Sequence, residues 1–279
     1  MSSPRSFRRT RIAPTPSGFL HLGNAYSFKL TADLARRTGA KILLRIDDLD
    51  RERVEERYIE DIFDTLHFLD IPWDEGPCDG ADFERVWSQL HRMELYHHAL
   101  EALRQQGVLF ACVCSRTQIA RESAGGVYPG TCRDKGLSLD SPDVSWRVRT
   151  DMGRELTMQQ LEAPAFKGVL DMSLTDFVVR KKDGFPAYQL TSLVDDLHFG
   201  ADLIVRGRDL WSSTLAQLYL AELLPRGSAF SAAVFHHHAL FTNADGSKLS
   251  KSGGAASIQF LRREGKSPDE IYGLMRQIR

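Results

Sequence analysis

The 279-residue sequence contains no apolar run near the roughly 18 residues that a membrane-spanning helix needs. No transmembrane segment is therefore expected. Net charge is nearly absent too: 36 Lys and Arg against 37 Asp and Glu give a formal −1. Such a balance provides no global basic field to attract nucleic acid, which leaves only a local basic face as a route to an RNA partner. Cysteine is scarce, with four residues in all, and three of them fall between Cys112 and Cys132. In a reducing compartment that clustering favours a metal over disulfides. The N-terminus, Met1 to Arg9, is basic but lacks the apolar centre of a signal peptide, so a short flexible tail on a cytoplasmic protein is expected. Repeats and low-complexity linkers are missing as well. What is there is ordinary globular composition, 42% hydrophobic and 26% charged, on a chain long enough to bury a core without disulfides.

Along the chain, Arg8 to Ile12 reads as a strand and Leu22 to Arg37 as a helix that stops at Gly39. Lys41 to Ile46 reads as a buried strand, and Val54 to Leu69 as an amphipathic helix with Ile59, Ile62, Phe63, Leu66 and Leu69 on one face. This alternation argues for a parallel α/β sheet. One helix is expected around Phe83 to Gln106, followed by a Gly-, Cys-, Arg- and Ser-rich stretch, Cys112 to Thr150, that breaks the alternation. The pattern returns with a strand at Asp202 to Arg206, a helix at Leu210 to Leu224 and a strand at Ala233 to Leu240. A polar loop, Asn243 to Gly254, and two short helices finish the chain.

The segment Arg11-Ile-Ala-Pro-Thr-Pro-Ser-Gly-Phe-Leu-His-Leu-Gly-Asn24 lies where the first strand gives way to the first helix. In open α/β sheets ligands bind beyond the carboxyl ends of strands, and a helix N-terminus there favours phosphate. Gly18 and Gly23 permit close backbone approach, while His21 and Asn24 offer polar contacts. Taken alone, His-x-Gly-x is more often a plain surface turn. The whole string, however, resembles the first signature of class I aminoacyl-tRNA synthetases, and its Arg-Ile-Ala-Pro-x-Pro-x-Gly prefix resembles the glutamyl and glutaminyl branch. Lys248-Leu-Ser-Lys-Ser252 is weak by itself but resembles the second signature, in the right order. Its two lysines would act as point charges on a polyphosphate, assisted by the hydroxyls of Ser250 and Ser252.

The resemblance implies a Rossmann-like catalytic core that activates an amino acid with ATP. The substrate carboxylate attacks the α-phosphate and pyrophosphate leaves, so catalysis is mainly positioning and charge stabilisation. His21, Asn24, Lys248 and Lys251 are the implied catalytic residues, with His21, Gly23, Asn24 and Lys251 on ATP and a Mg2+ ion accompanying it. A glutamate side chain needs a fixed cation and its ammonium group an anion. Arg11 and Arg206 at strand ends suit the first role, Asp47 the second, and the Tyr188 hydroxyl could add a bond. Surface ion pairs or core packing would explain each of these singly. The resemblance implies that Arg11, Ala13, Thr15, Asp47, Tyr188 and Arg206 line the amino acid pocket. Two positions depart from the family: it commonly has glutamate at Asp47 and often Asn at Ser192. Glutaminyl enzymes also use aspartate at the first of these, so glutamine stays open beside glutamate.

Cys112-Val-Cys114, Tyr128 and Cys132 make a compact set. Three thiolates and a fourth ligand would close a tetrahedral structural zinc site, whereas buried free thiols are the alternative. The string resembles the zinc knuckle of the small glutamyl-queuosine tRNA(Asp) synthetases, and that resemblance implies Tyr128 as fourth ligand. Cys78 stands apart as a plain thiol. His236, His237 and His238 are consecutive on a strand, alternate faces and cannot converge on one ion.

These readings divide the chain into a first half of the core at 1–108, an inserted acceptor-binding subdomain with the zinc knuckle at 109–185, the second half of the core at 186–252 and a helical tail at 253–279. That tail is too short for an anticodon-binding domain. The expectation is a monomeric, cytoplasmic ligase that uses ATP to place glutamate on the queuosine base of tRNA(Asp). The alternatives are a truncated synthetase that charges a terminal ribose and a non-catalytic paralogue.

Overall fold

Gly39 ends the first helix as its sequence context suggests. It takes a left-handed conformation, φ 73°, which costs glycine little, and its N–H donates to the Ala35 carbonyl. A computed structural model of the chain describes residues 5–240 and 257–277. In chain order the first elements are β1 (Arg9–Ile12), α1 (Leu22–Thr38), β2 (Lys41–Leu44), α2 (Glu56–Phe68), the single turn α3 (Gly80–Asp82) and α4 (Met93–Gln105). Next come β3 (Leu109–Cys112), α5 (Arg116–Glu122), β4 (Ser145–Val148), β5 (Leu156–Gln160), β6 (Phe166–Gly168), β7 (Val178–Arg180) and α6 (Tyr188–Phe199). The last are β8 (Leu203–Gly207), α7 (Trp211–Leu223), α8 (Ser228–Ser231), β9 (Val234–His238), α9 (Ile258–Arg263) and α10 (Pro268–Gln277). Among the described residues no helix is long and apolar enough to cross a membrane.

The elements fall into two compact units, one of Met1–His91, Ala201–Asp209 and Phe235–Arg279, the other of Arg92–Gly200 and Leu210–Val234. The stretch 109–185 lies inside the second. Composition marks where a chain changes character, whereas packing decides a unit: α7 joins the second because it packs on α6.

In the first unit β1 and β2 pair in parallel, with Arg11 beside Leu43. Both strands are buried runs, as expected for a parallel sheet covered on its faces. Backbone bonding continues past the strand ends: Arg45 N–H reaches the Ile12 carbonyl and Asp47 N–H the Pro14 carbonyl, each at 2.9 Å. The start of β8 lies against β1, since the Asp202 carboxylate accepts from the N–H groups of Arg8 and Arg9. β9 neighbours β8. The α2 stripe Ile59, Ile62, Phe63 and Leu66 is buried as its periodicity predicts. Arg262 of α9 pairs with Asp64 of α2 at 3.4 Å, and the Tyr272 hydroxyl of α10 donates to the Leu69 carbonyl.

The single helix expected over 83–106 is interrupted. A wide turn at Phe83–Trp87 ends at Ser88, which is extended at φ −54°, ψ 142°. A tight turn, Gln89–Arg92, precedes α4. The cause is distant in sequence. The buried Asp48 carboxylate accepts the Ser88 hydroxyl at 2.6 Å and the Gln89 N–H at 2.8 Å, which stops one turn and caps the next.

The second unit holds an antiparallel sheet of order β3-β4-β7 and a hairpin, β5-β6. Its helices α4 and α6 are tied by a buried pair: Arg92 Nε donates to Asp195 at 2.8 Å, and the Tyr96 hydroxyl adds a third bond to the same carboxylate.

Candidate active site and metal centre

His21 is the N-cap of α1. Its Nδ1 accepts from the N–H groups of Gly23 and Asn24 at 3.1 and 3.3 Å, while the Asn24 side-chain oxygen accepts from the His21 N–H at 3.1 Å. This is a reciprocal capping box with histidine in the place usually held by serine or threonine. Two consequences refine the sequence expectation. An Nδ1 that accepts puts the proton on Nε2, so the ring presents Nε2–H as a donor. The N–H groups of Gly23 and Asn24 serve the cap, so the helix end offers fewer of them to a phosphate. Gly23 leaves room for the same ring, because a Cβ there would meet His21 Cε1 at 3.0 Å and the ring would have to shift by a few tenths of an ångström.

The peptide before His21 is held on both sides. Leu20 N–H donates to Asp61 of α2 at 2.8 Å, and the Leu20 carbonyl accepts from Ile258 N–H at 2.8 Å. His21 and Ser257 form an isolated antiparallel bridge. Asp61 is 2% exposed, and burial raises its pKa against the opposing Leu20 N–H and Arg262 charge. Asp61 has no signature in the sequence beyond its place one turn before Thr65, and both are buried beside an otherwise apolar stripe.

Of the expected pocket residues, Arg11, Ala13, Thr15, Asp47 and Arg206 belong to the first unit. Arg11, on β1, is 5% exposed and donates to the Val205 carbonyl on β8 at 3.1 Å. Arg206 follows that carbonyl, is 3% exposed, and has its guanidinium 5.8 Å from the Phe235 ring centre. Two guanidinium groups are thus buried on adjacent strands. Ala13 and Thr15 are half-buried in the extended run after β1, at alternate positions from Arg11. Asp47 is 8% exposed and carries a bidentate bond from Arg45, at 2.7 and 3.0 Å. Arg45 was not singled out in the sequence, yet Arg-x-Asp in an extended segment puts both side chains on one face.

Tyr188 belongs to the second unit, at the first position of α6, and is 40% exposed. Ser192, one turn later, is buried. Lys248 and Lys251, with Ser250 and Ser252, lie outside the described residues. On β9 the His237 ring stacks on Phe235 with an interplanar angle of 13°, whereas His238 meets Tyr26 edge-on. Burial, then the Arg206 charge, pushes the His237 pKa down to about 3, so this ring is neutral.

In the second unit the Sγ atoms of Cys112, Cys114 and Cys132 all lie within 4.8 Å of one another, and all three residues are buried. Cys114 and Cys132 are 3.6 Å apart, far beyond a disulfide of about 2.05 Å. The separation is close to the roughly 3.8 Å edge of a tetrahedron built on Zn–S bonds of about 2.3 Å. The Tyr128 oxygen accepts from Cys132 N–H at 2.8 Å, and its ring is covered by the Arg147 guanidinium at 3.8 Å. Burial opposes ionisation of Cys112, but hydrogen bonds from Tyr128 and Cys114 N–H and the Arg147 charge bring it down to about 7. Burial and the neighbouring thiols push Cys114 up to about 12. Three buried thiols cannot all ionise without a cation among them, so the donor set fits zinc. Cys78 is exposed and apart.

A parallel β-α-β start, a histidine-capped helix at its first turn and buried arginines on adjoining strands define an α/β domain with a polar site at the carboxyl ends of its strands. The chain matches, over residues 8–278, the family described as "tRNA synthetases class I (E and Q), catalytic domain". It belongs to that family and is a catalytic domain of the ATP-dependent ligase type. It is 34% identical to "Glutamyl-Q tRNA(Asp) synthetase" of Rhodobacter capsulatus, covering 95% of this chain and 99% of that one. Its namesake from Symbiobacterium thermophilum is 36% identical, covering 94% and 84%. A solved glutamate-tRNA synthetase from Elizabethkingia anophelis superposes with a TM-score of 0.77 at 22% identity, over 96% of this chain, and supports the fold. The chain spans 61% of the length of that structure.

Proposed function

We propose that the chain activates glutamate with ATP and transfers the glutamyl group to tRNA, at the queuosine base of tRNA(Asp). The observation that carries the anionic substrate is the pair of buried guanidinium groups, Arg11 and Arg206, on adjacent strands. Near-complete coverage of relatives named for glutamyl-Q tRNA(Asp) synthesis supports the acceptor.

In this reading Arg11 and Arg206 hold the side-chain carboxylate, and Ala13 and Thr15 line the pocket. The ammonium group meets Asp47, whose charge is shared with Arg45. Tyr188 contributes its hydroxyl. The substrate α-carboxylate is already ionised and attacks the α-phosphate without a general base. His21 Nε2–H donates to a phosphate oxygen, with the backbone N–H groups of Gly23 and Asn24 fixing the ring, and Lys248 and Lys251 offset charge on the departing pyrophosphate. The product is glutamyl-adenylate, which a tRNA hydroxyl then attacks. A Mg2+ ion accompanies ATP. Cys112, Cys114, Tyr128 and Cys132 hold zinc, which cross-links the loops of the inserted region and takes no part in the chemistry.

Glutamate-dependent ATP–pyrophosphate exchange tests the reading. Exchange with glutamate and without tRNA is expected; none with glutamate, glutamine or aspartate would sink it. A second reading is favoured by relatives named glutamate–tRNA ligase at 32–34% identity: charging of a terminal ribose. Labelled glutamate located on nuclease fragments of tRNA(Asp) separates the two, since only the first reading puts label on the queuosine-bearing fragment.

A further inference from the structure

We infer that Arg147 is a positioning residue that enables Tyr128 to serve as the fourth ligand of the cysteine-bound metal. The inference rests on the zinc reading above. A phenol is a poor ligand beside thiolates. Zinc bound by three thiolates and a phenolate keeps an excess of about two negative charges, which a buried site tolerates only with a cation close by. Arg147 is that cation. It occupies β4, is 7% exposed, and its guanidinium carbon lies over the Tyr128 ring, 3.8 Å from its centre. Its Nη1 donates to the Asp176 carbonyl at 2.8 Å, which fixes the plane of the guanidinium. Asp176 is itself anchored, because its carboxylate accepts from Thr150 N–H at 2.9 Å and from Arg133. On the far edge of the ring, Cys132 N–H points at the phenol oxygen. Arg147 over the ring face and Cys132 N–H at the oxygen thus hold the Tyr128 phenol beside the thiols. Burial and Cys112 push its pKa up in the metal-free protein, and these two groups offset the charge it acquires on binding a metal, a contact for which an ammonium has no planar face.

The first test needs no variant. Zinc added to the metal-free native protein is expected to produce a red-shifted tyrosinate absorption that is absent from Tyr128→Phe; no such band overturns the inference. Zinc affinity, read by chelator competition, is expected to fall about 10-fold to 100-fold in Arg147→Met, as for other groups that orient metal ligands. Arg147→Lys should recover only part of it. In the Tyr128→Phe background, Arg147→Met should cost distinctly less, because Arg147 then has only the charge on Cys112 left to offset. Equal losses in both backgrounds would reduce Arg147 to general packing. If the native protein binds no zinc, the zinc reading itself fails; if it binds zinc but the Arg147 variants bind equally well, only this inference fails.

Discussion

Residues that bring charge into the interior carry the proposed binding of glutamate. Arg206 is buried beside the carbonyl that holds Arg11, so a lysine there keeps the charge and loses the planar fork. Arg206→Lys is expected to raise the glutamate KM on the order of 10-fold to 100-fold with a smaller change in kcat, measured by pyrophosphate exchange. Gly23→Ala should slow exchange by roughly 10-fold to 100-fold, because its methyl would displace the His21 ring by a few tenths of an ångström. His21→Ala, which removes the donor itself, should cost about 100-fold or more. The sequence pointed to Arg11, Asp47, Arg206 and the cysteine set by residue type and place. Arg45, Asp61 and Arg147 escaped it. Each acts on a group far away in sequence or on the opposite side of a side chain, where spacing gives no signal.

At the scale of elements, local patterning carried β1, α1, β2 and α2, whose periodicities and glycine stop are read from neighbouring residues alone. It failed at Ser88, where Asp48, 40 residues earlier, interrupts a helix-like stretch. Asp61 ties α2 to the segment that leads into α1. Burial raises its pKa, so the native state binds this proton more tightly than the unfolded chain does. Its favourable contribution is complete below the unfolded value near 3.9 and is lost as pH rises through the folded value. Asp61→Asn retains an oxygen for Leu20 N–H and removes the titration. Its stability relative to native should increase from pH 4 to pH 7, as read by denaturant unfolding at each pH. A constant difference would show that Asp61 titrates as it does in the unfolded chain. Asp61→Ala, which loses the acceptor as well, should lie about 1–3 kcal/mol below Asp61→Asn at each pH.

For the whole molecule, the division into compact units was not legible in composition, since Leu210–Val234 looks like core sequence yet joins the second unit by contact. The cysteines supply a global test. Cys78 is exposed while Cys112, Cys114 and Cys132 are buried together. In the metal-loaded protein one thiol is expected to react readily with a disulfide reagent. Chelation should release the rest and lower the melting temperature; four equally reactive thiols before chelation would contradict a closed metal centre.

The capping box at the head of α1 affects how lesions there should be diagnosed. The side-chain oxygen of Asn24 is spent on the His21 N–H, so its loss chiefly frays a turn. A fraying turn changes how many molecules in a preparation are competent at any instant, not how fast a competent one works. Active-site titration of an Asn24 variant would then show a reduced amplitude with a near-native rate constant. A His21 variant would show the converse, and a steady-state assay alone would report both as the same defect.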